Sequence, residues 1–147
     1  MDLGLHVDGP FDREYFKSIY FNDPDGLILE IATDGPGFTV NEAPEVLGTT
    51  FMPVPDALKR ANRDEEAIAA AVWPDPVPTI TPDMVLTQGM HHISAISSNI
   101  ERTHAFLSGV LGLQRVKMTD NFDVPGSAHW YWGVGEGRPG TLITYFE

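Results

Sequence analysis

The sequence predicts an α+β fold made of two unequal parts, an incomplete βββ unit followed by a complete βαβββ unit. Three observations carry this. Apolar runs separated by Gly, Pro and Asx clusters fill residues 1–33 and give three strands. Residues 89–147 show a strand, a capped helix and three more strands, in that order. Between them a run of strong helix formers gives way to Pro74, Pro76, Pro78 and Pro82, which reads as a connector and an extended linker. The expected organisation is therefore 1–50, 51–88 and 89–147.

Residues 3–8, LGLHVD, form a short strand that contains His6 and is punctuated by Gly9-Pro10. Tyr15 to Phe21 is the second strand, with Phe16, Ser18 and Tyr20 on one face. Asn22-Asp23-Pro24-Asp25-Gly26 has turn chemistry: Pro fixes φ, Gly accepts positive φ, and Asn and Asp bond their own backbone. Leu27 to Ala32 is the third strand, an apolar run broken by Glu30. A carboxylate in a run that otherwise favours burial is costly unless it is paired, protonated or metal-bound. Glu30 is therefore the first candidate for chemistry; a strand-end carboxylate that reaches solvent or an arginine is the other reading.

Asp34-Gly35-Pro36-Gly37 stops the sheet, and the chain to about Met52 is irregular or briefly helical. Pro55 to Val72 is expected as a helix, with Pro near its start. Its uneven stripe, Leu58, Ala61, Ile68 and Val72, suits a surface-packed connector or an oligomer contact. Gly89 to Ser97 is a strand. Ser98 and Glu101 fit a capping box for a helix that runs to about Leu111, with Gly112 after its end. Leu113–Thr119, Ala128–Val134 and Thr141–Phe146 are the remaining strands. GLILEIA resembles GTLITYF, and aligning Gly26 with Gly140 sets Glu30 opposite Thr144, a weak internal repeat.

The chain has 147 residues, enough for an ordinary core. It lacks an 18-residue apolar run and a basic-then-apolar signal pattern, so no membrane span is expected and the location expected is cytoplasmic. With no Cys, disulfide and thiolate chemistry are excluded. The net charge of −12, from 21 acids and 9 bases, argues against nucleic acid and anionic membranes as partners. There is no P-loop, no dinucleotide fingerprint, no nucleophile elbow and no EF-hand spacing.

His91-His92 opens the back unit. On a strand the two rings point to opposite faces, so one of them at most joins a given site, and His92 shares its face with Ser94. Two imidazoles and one carboxylate form the usual facial set for non-haem Fe(II), but one His and one Glu alone are not a motif. His104 reads as a surface residue. His129 reads as a hydrogen-bonded core histidine, the Trp130-Tyr131-Trp132 run as core, and Asp64-Glu65-Glu66 as a solvated face.

The stretches SIYFNDPDGLILEIATDGPGF and GMHHISAISSNIERTHAFLSGVLGLQRVKMTDNFDVPGSAHWYWGVGEGRPGTLITYF resemble the vicinal oxygen chelate superfamily, which includes glyoxalases, bleomycin-resistance proteins and extradiol dioxygenases. They are most similar to its hydroquinone-type ring-cleaving dioxygenases, over about residues 4–50 and 89–147. The resemblance implies paired βαβββ modules that form a cupped mixed sheet around a divalent metal, most often Fe(II), with Mn as the other candidate. It implies Glu30 and His92 as metal ligands. It places Arg13, Tyr20 and His91 as the catalytic or substrate-facing set, with Ser94 lining the site. It implies a small dihydroxy-aromatic substrate.

The module order is permuted relative to that family, and the opening strand and helix of the first module, which carry another histidine ligand, are missing. His6, His129 or a partner chain would supply a third ligand. Incomplete sheets leave edges open, so a homodimer that completes the cups is expected. The alternative function is a non-catalytic small-molecule-binding protein of the drug-sequestering type on the same fold.

Overall fold

The computed structural model describes residues 4–72, 81 and 89–147. The elements run β1 (Asp8–Asp12), β2 (Lys17–Asn22), β3 (Ile28–Ala32), α1 (Glu65–Val72), β4 (His92–Ile96), α2 (Ile100–Gly109), β5 (Gln114–Asp120), β6 (Ala128–Gly133) and β7 (Leu142–Phe146). Short 3-10 turns at Phe38–Val40, Pro44–Val46 and Asp56–Leu58 fill the stretch between β3 and α1. The fold is α+β. One sheet is antiparallel in the order β1-β2-β3; the other is mixed, β4-β7-β6-β5, with β4 parallel to β7. The expected proline-rich linker lies outside the described residues.

The first strand lies later than the sequence pattern predicts. It runs through Gly9-Pro10 instead of ending there, and its register to β2 slips between Asp8 and Phe11. Gly9 absorbs the slip with φ of 111°, and a Cβ there would come 2.9 Å from the Ser18 carbonyl oxygen. Pro10 is tolerated because β1 is an edge strand.

The single helix expected from Pro55 does not form. After the Asp56–Leu58 turn the Asn62 side chain donates to the Asp56 carbonyl (2.9 Å), and the helix restarts where Asp64 accepts from the Ala67 N–H (2.9 Å). Local side chain to backbone bonds of this kind compete with helix propagation.

The helix cap also differs from the expected capping box. Asn99, not Ser98, is the N-cap and accepts from the Arg102 N–H at 2.8 Å. The Ile100 N–H donates to Glu147 Oε2 (2.8 Å), so the donor is satisfied from the far end of β7's chain segment.

Strand alternation sorts the four-stranded sheet into two faces. Trp130 and Trp132 pack under α2 with Ile100 and Leu107. Tyr131 points the other way and joins Tyr15, Phe16, Phe38, Phe122 and Leu142 in the main core. That core also encloses an ion pair: fully buried Lys117 bonds Glu42 and Asn41, with its ammonium 4.8 Å from the Tyr15 ring. The pair ties the segment after β3 to β5. Burial lowers the Lys117 pKa, and Glu42 opposes that shift.

The apolar run of β3 is not buried in this chain. It forms the edge of its sheet, with Ile28 68 % and Ile31 42 % exposed. Ile93 and Ile96 on β4, an edge of the other sheet, are exposed as well.

Candidate functional site

The β2–β3 turn sets the geometry of Glu30. Asp23 Oδ1 accepts from the N–H groups of Asp25 (2.9 Å) and Leu27 (2.8 Å), and Gly26 takes φ of 88°. The resulting register puts Tyr20 directly opposite Glu30. Tyr20 donates its hydroxyl to Glu30 Oε1 at 2.6 Å. The other oxygen, Oε2, lies 3.1 Å from His92 Nε2 on β4, so the pair bridges the two sheets. Both side chains are shielded, 16 % exposed for Glu30 and 7 % for His92.

Burial alone would raise the Glu30 pKa. The hydrogen bond and charge of His92, with Tyr20 and Ser18, outweigh it and hold the carboxyl below its usual range. For Tyr20, burial dominates, and the Glu30 charge adds to it against Arg13; its pKa is pushed up to about 12. The phenol therefore stays protonated at neutral pH and acts as the donor to Glu30.

His91 does not turn away from His92. It precedes β4, so strand alternation does not govern it, and the two Nδ1 atoms lie 2.9 Å apart. Phe16 packs against both rings, at 5.0 and 5.5 Å between centroids. Burial and the neighbouring His92 lower the His91 pKa.

Arg13 is buried with its guanidinium 4.9 Å from the Phe11 ring and 5.6 Å from the Tyr20 ring. Its Nη2 donates to Asp123 Oδ2 (2.9 Å), and Arg63 Nη1 donates to Asp123 Oδ1 (2.7 Å). Asp123 and Arg63 were not legible as site residues: one sits in a turn, the other in a stretch expected as a surface helix. The sequence offers a signal for Asp123 alone, a carboxylate between Phe122 and Val124; Arg63 lies among polar and charged residues.

His129 is buried and stacked on Phe146 at 3.7 Å. Both its nitrogens are engaged, Nε2 with Thr144 (3.1 Å) and Nδ1 with Tyr131 (3.0 Å). His6 is exposed and pairs with Asp8 at 3.2 Å. Neither joins Glu30 and His92, and among the described residues no three His, Asp or Glu side chains are grouped to hold an ion. Ser94 accepts from Thr144 Oγ1 at 3.0 Å. Of the aligned residues, Gly26 and Gly140 have φ of 88° and 85°, and the cross-strand partners of Glu30 and Thr144 are both tyrosines, Tyr20 and Tyr131, while the connections themselves, residues 23–27 and 134–141, differ in length.

Arg13, Tyr20, Glu30, His92, Ser94 and His129 line one open cleft of about 2010 Å³. Two donors each ~2.1 Å from one ion at the right angle of octahedral coordination stand ~3 Å apart. The Glu30–His92 separation of 3.1 Å is of that size, so this pair fits two positions of a divalent metal site.

No family model matches the chain. Over 60 residues it is 52 % identical to "Putative ring-cleaving dioxygenase MhqO" of Bacillus subtilis (strain 168), a match that covers 41 % of this chain and 19 % of that protein. Over 60 residues it is 45 % identical to "Putative ring-cleaving dioxygenase MhqE" of the same organism, covering 41 % of this chain and 20 % of that protein. The match thus spans about a fifth of the length of these curated relatives. A crystal structure described as "putative dioxygenase from Bacillus subtilis subsp. subtilis str. 168" matches at 52 % identity with a TM-score of 0.40, covering 41 % of this chain and 19 % of that one. Among the described residues, no helix is long and apolar enough to cross a membrane.

Proposed function

We propose that this chain carries part of a metal-dependent ring-cleaving dioxygenase that acts on a dihydroxy-aromatic compound. The observation that carries this reading is the shielded carboxylate–imidazole pair, Glu30 with His92, closed in on one side by Tyr20. The names of the partial relatives support the same class. Fe(II) is the metal that suits the reaction, with Mn as the other candidate.

Glu30 and His92 would hold the ion, and Tyr20 orients the carboxylate so that Oε2 faces His92. The bound metal would supply Lewis acidity and a route for electrons to oxygen. Arg13 offers a fixed positive charge to a substrate oxyanion. His91, which lines the same cleft beside His92, is proposed to orient a substrate oxygen or move a proton. Since neither His6 nor His129 joins the pair, a third protein ligand would come from another chain. A second copy, pairing along the exposed edges of β3 and β4, is the proposed source.

The test is metal content and oxygen uptake with hydroquinones and catechols after anaerobic iron loading. It is run beside Glu30→Ala and His92→Ala, with mass measured by light scattering. Near-stoichiometric metal lost in both variants, with turnover, is the expected result. Metal properly bound without turnover sinks the dioxygenase. A metal-free chain that still takes up flat aromatic ligands, indifferent to chelator, returns the non-catalytic binding reading.

A further inference from the structure

We propose that a directional hydrogen-bond relay, Tyr131–His129–Thr144–Ser94, makes Ser94 a polarised donor into the cleft, selecting a ligand that presents a deprotonated oxygen there.

The relay follows from strand register. Ser94 on β4 pairs with Thr144 on β7, and Thr144 pairs with Tyr131 on β6. The three side chains form a row across one sheet face, and His129, two positions from Tyr131 on β6, lies on the same face.

With Thr144 as the donor to Ser94, the other protons of the row are fixed. Thr144 Oγ1 donates its only hydrogen to Ser94 Oγ at 3.0 Å. Toward His129 it can then only accept, so His129 Nε2 carries the hydrogen of the 3.1 Å contact. The buried imidazole is neutral, because desolvation disfavours its charged form. Nδ1 is therefore an acceptor and takes the Tyr131 hydroxyl hydrogen at 3.0 Å. Tyr131 and Thr144 are 1 % and 0 % exposed, so solvent does not compete along the row.

Every bond thus points from the core toward Ser94. Aligned bonds of this kind strengthen one another. Ser94 is exposed, lines the cleft and receives a hydrogen from Thr144, so its own hydrogen is left for a ligand. It lies two residues from His92 on the same strand. A phenolate oxygen is the acceptor that gains most from such a donor. Tyr131, His129 and Thr144 are positioning residues. His129 has both nitrogens committed to the relay and is not a free ligand for an ion.

The choice of phenolate rests on the function proposed above, and the experiment separates the two. The probe is 4-nitrocatechol, whose absorption reports its own ionisation, bound at one pH and in one metal state to wild type and variants. The expected result is that Ser94→Ala lowers the bound phenolate-to-phenol ratio about tenfold, the scale of one hydrogen bond to a charged group. Thr144→Val lowers it in the same direction by a smaller factor, and Thr144→Ser restores it. A Thr144→Val ratio equal to wild type overturns the proposal. In parallel, 15N NMR of the wild-type histidines should show His129 as the Nε2–H tautomer; the Nδ1–H tautomer overturns the relay. A wild-type chain that takes up no 4-nitrocatechol removes the dihydroxy-aromatic reading and the ligand half of this proposal, while the tautomer still decides the relay.

Discussion

Glu30 and His92 come from different sheets, yet Glu30 Oε2 and His92 Nε2 stand 3.1 Å apart. Neither residue is held by the other alone. Glu30 is fixed by its cross-strand hydrogen bond to Tyr20, and His92 by Phe16 and the Nδ1 contact with His91. The pair is thus oriented by contacts of its own, which is what the proposed metal site would require of the residues behind its ligands.

Removing one such support has a defined effect. Tyr20→Phe keeps the ring packed against Phe11 but frees Glu30 Oε1. The dissociation constant for Mn(II), read from the EPR signal of the free ion, should rise about 10-fold or more, the usual cost of losing an outer-shell partner. An unchanged constant would mean that Glu30 is positioned without Tyr20.

The Asp123 carboxylate gives a pH dependence with a definite sign. Burial raises its pKa, but Arg13 and Arg63 outweigh it and hold the carboxyl below its ordinary value. Its stabilising contribution is present above the unfolded carboxylate pKa of ~3.9 and is lost as pH falls through the lower folded value. Urea midpoints measured from pH 7 down to pH 2 should fall less steeply in Asp123→Asn than in wild type; parallel curves would refute the assignment.

The buried pair Lys117–Glu42 should be far more sensitive to losing one partner than to losing both. Lys117→Met leaves the Glu42 carboxylate, 5 % exposed, without its counter-charge, and should cost ~3–5 kcal/mol in denaturant unfolding. The double variant Lys117→Met with Glu42→Leu should recover much of that loss. A single variant as stable as wild type would show that the pair does not bind the two parts of the core together.

At the start of α2 two neighbouring residues are predicted to behave differently. Asn99→Ala removes the bond to the Arg102 N–H and should cost ~1 kcal/mol. Ser98→Ala should be near neutral by the same unfolding measurement. The reverse order would restore the capping box read from the sequence.

Much of the back unit was legible because its signals are local. The period of Ile100 and Leu107, the glycines between strands and the Trp-Tyr-Trp alternation each report on one element. Glu30 stood out as a charge in an apolar run, and the reading of His129 as a hydrogen-bonded core residue matches its two bonds. What escaped depends on contacts distant in sequence. The Ile100 N–H is satisfied by Glu147, which no window around the helix contains. Arg63 is aligned by Asp123, and the stretch around it breaks because Asn62 bonds Asp56. The His91–His92 contact was misjudged because alternation applies only within a strand, and β4 begins at His92.

Gly26 and Gly140 lie just ahead of β3 and β7 with φ of 88° and 85°. A tyrosine stands across from Glu30 and another across from Thr144, although the connections that lead into the two strands, residues 23–27 and 134–141, differ in length. One wall of the cleft therefore offers a negative charge and the other a neutral hydroxyl row. A flat molecule entering between them meets two unlike walls and is not indifferent to being turned end for end. That difference between the strands lies in two side chains, Glu30 on β3 and Thr144 on β7.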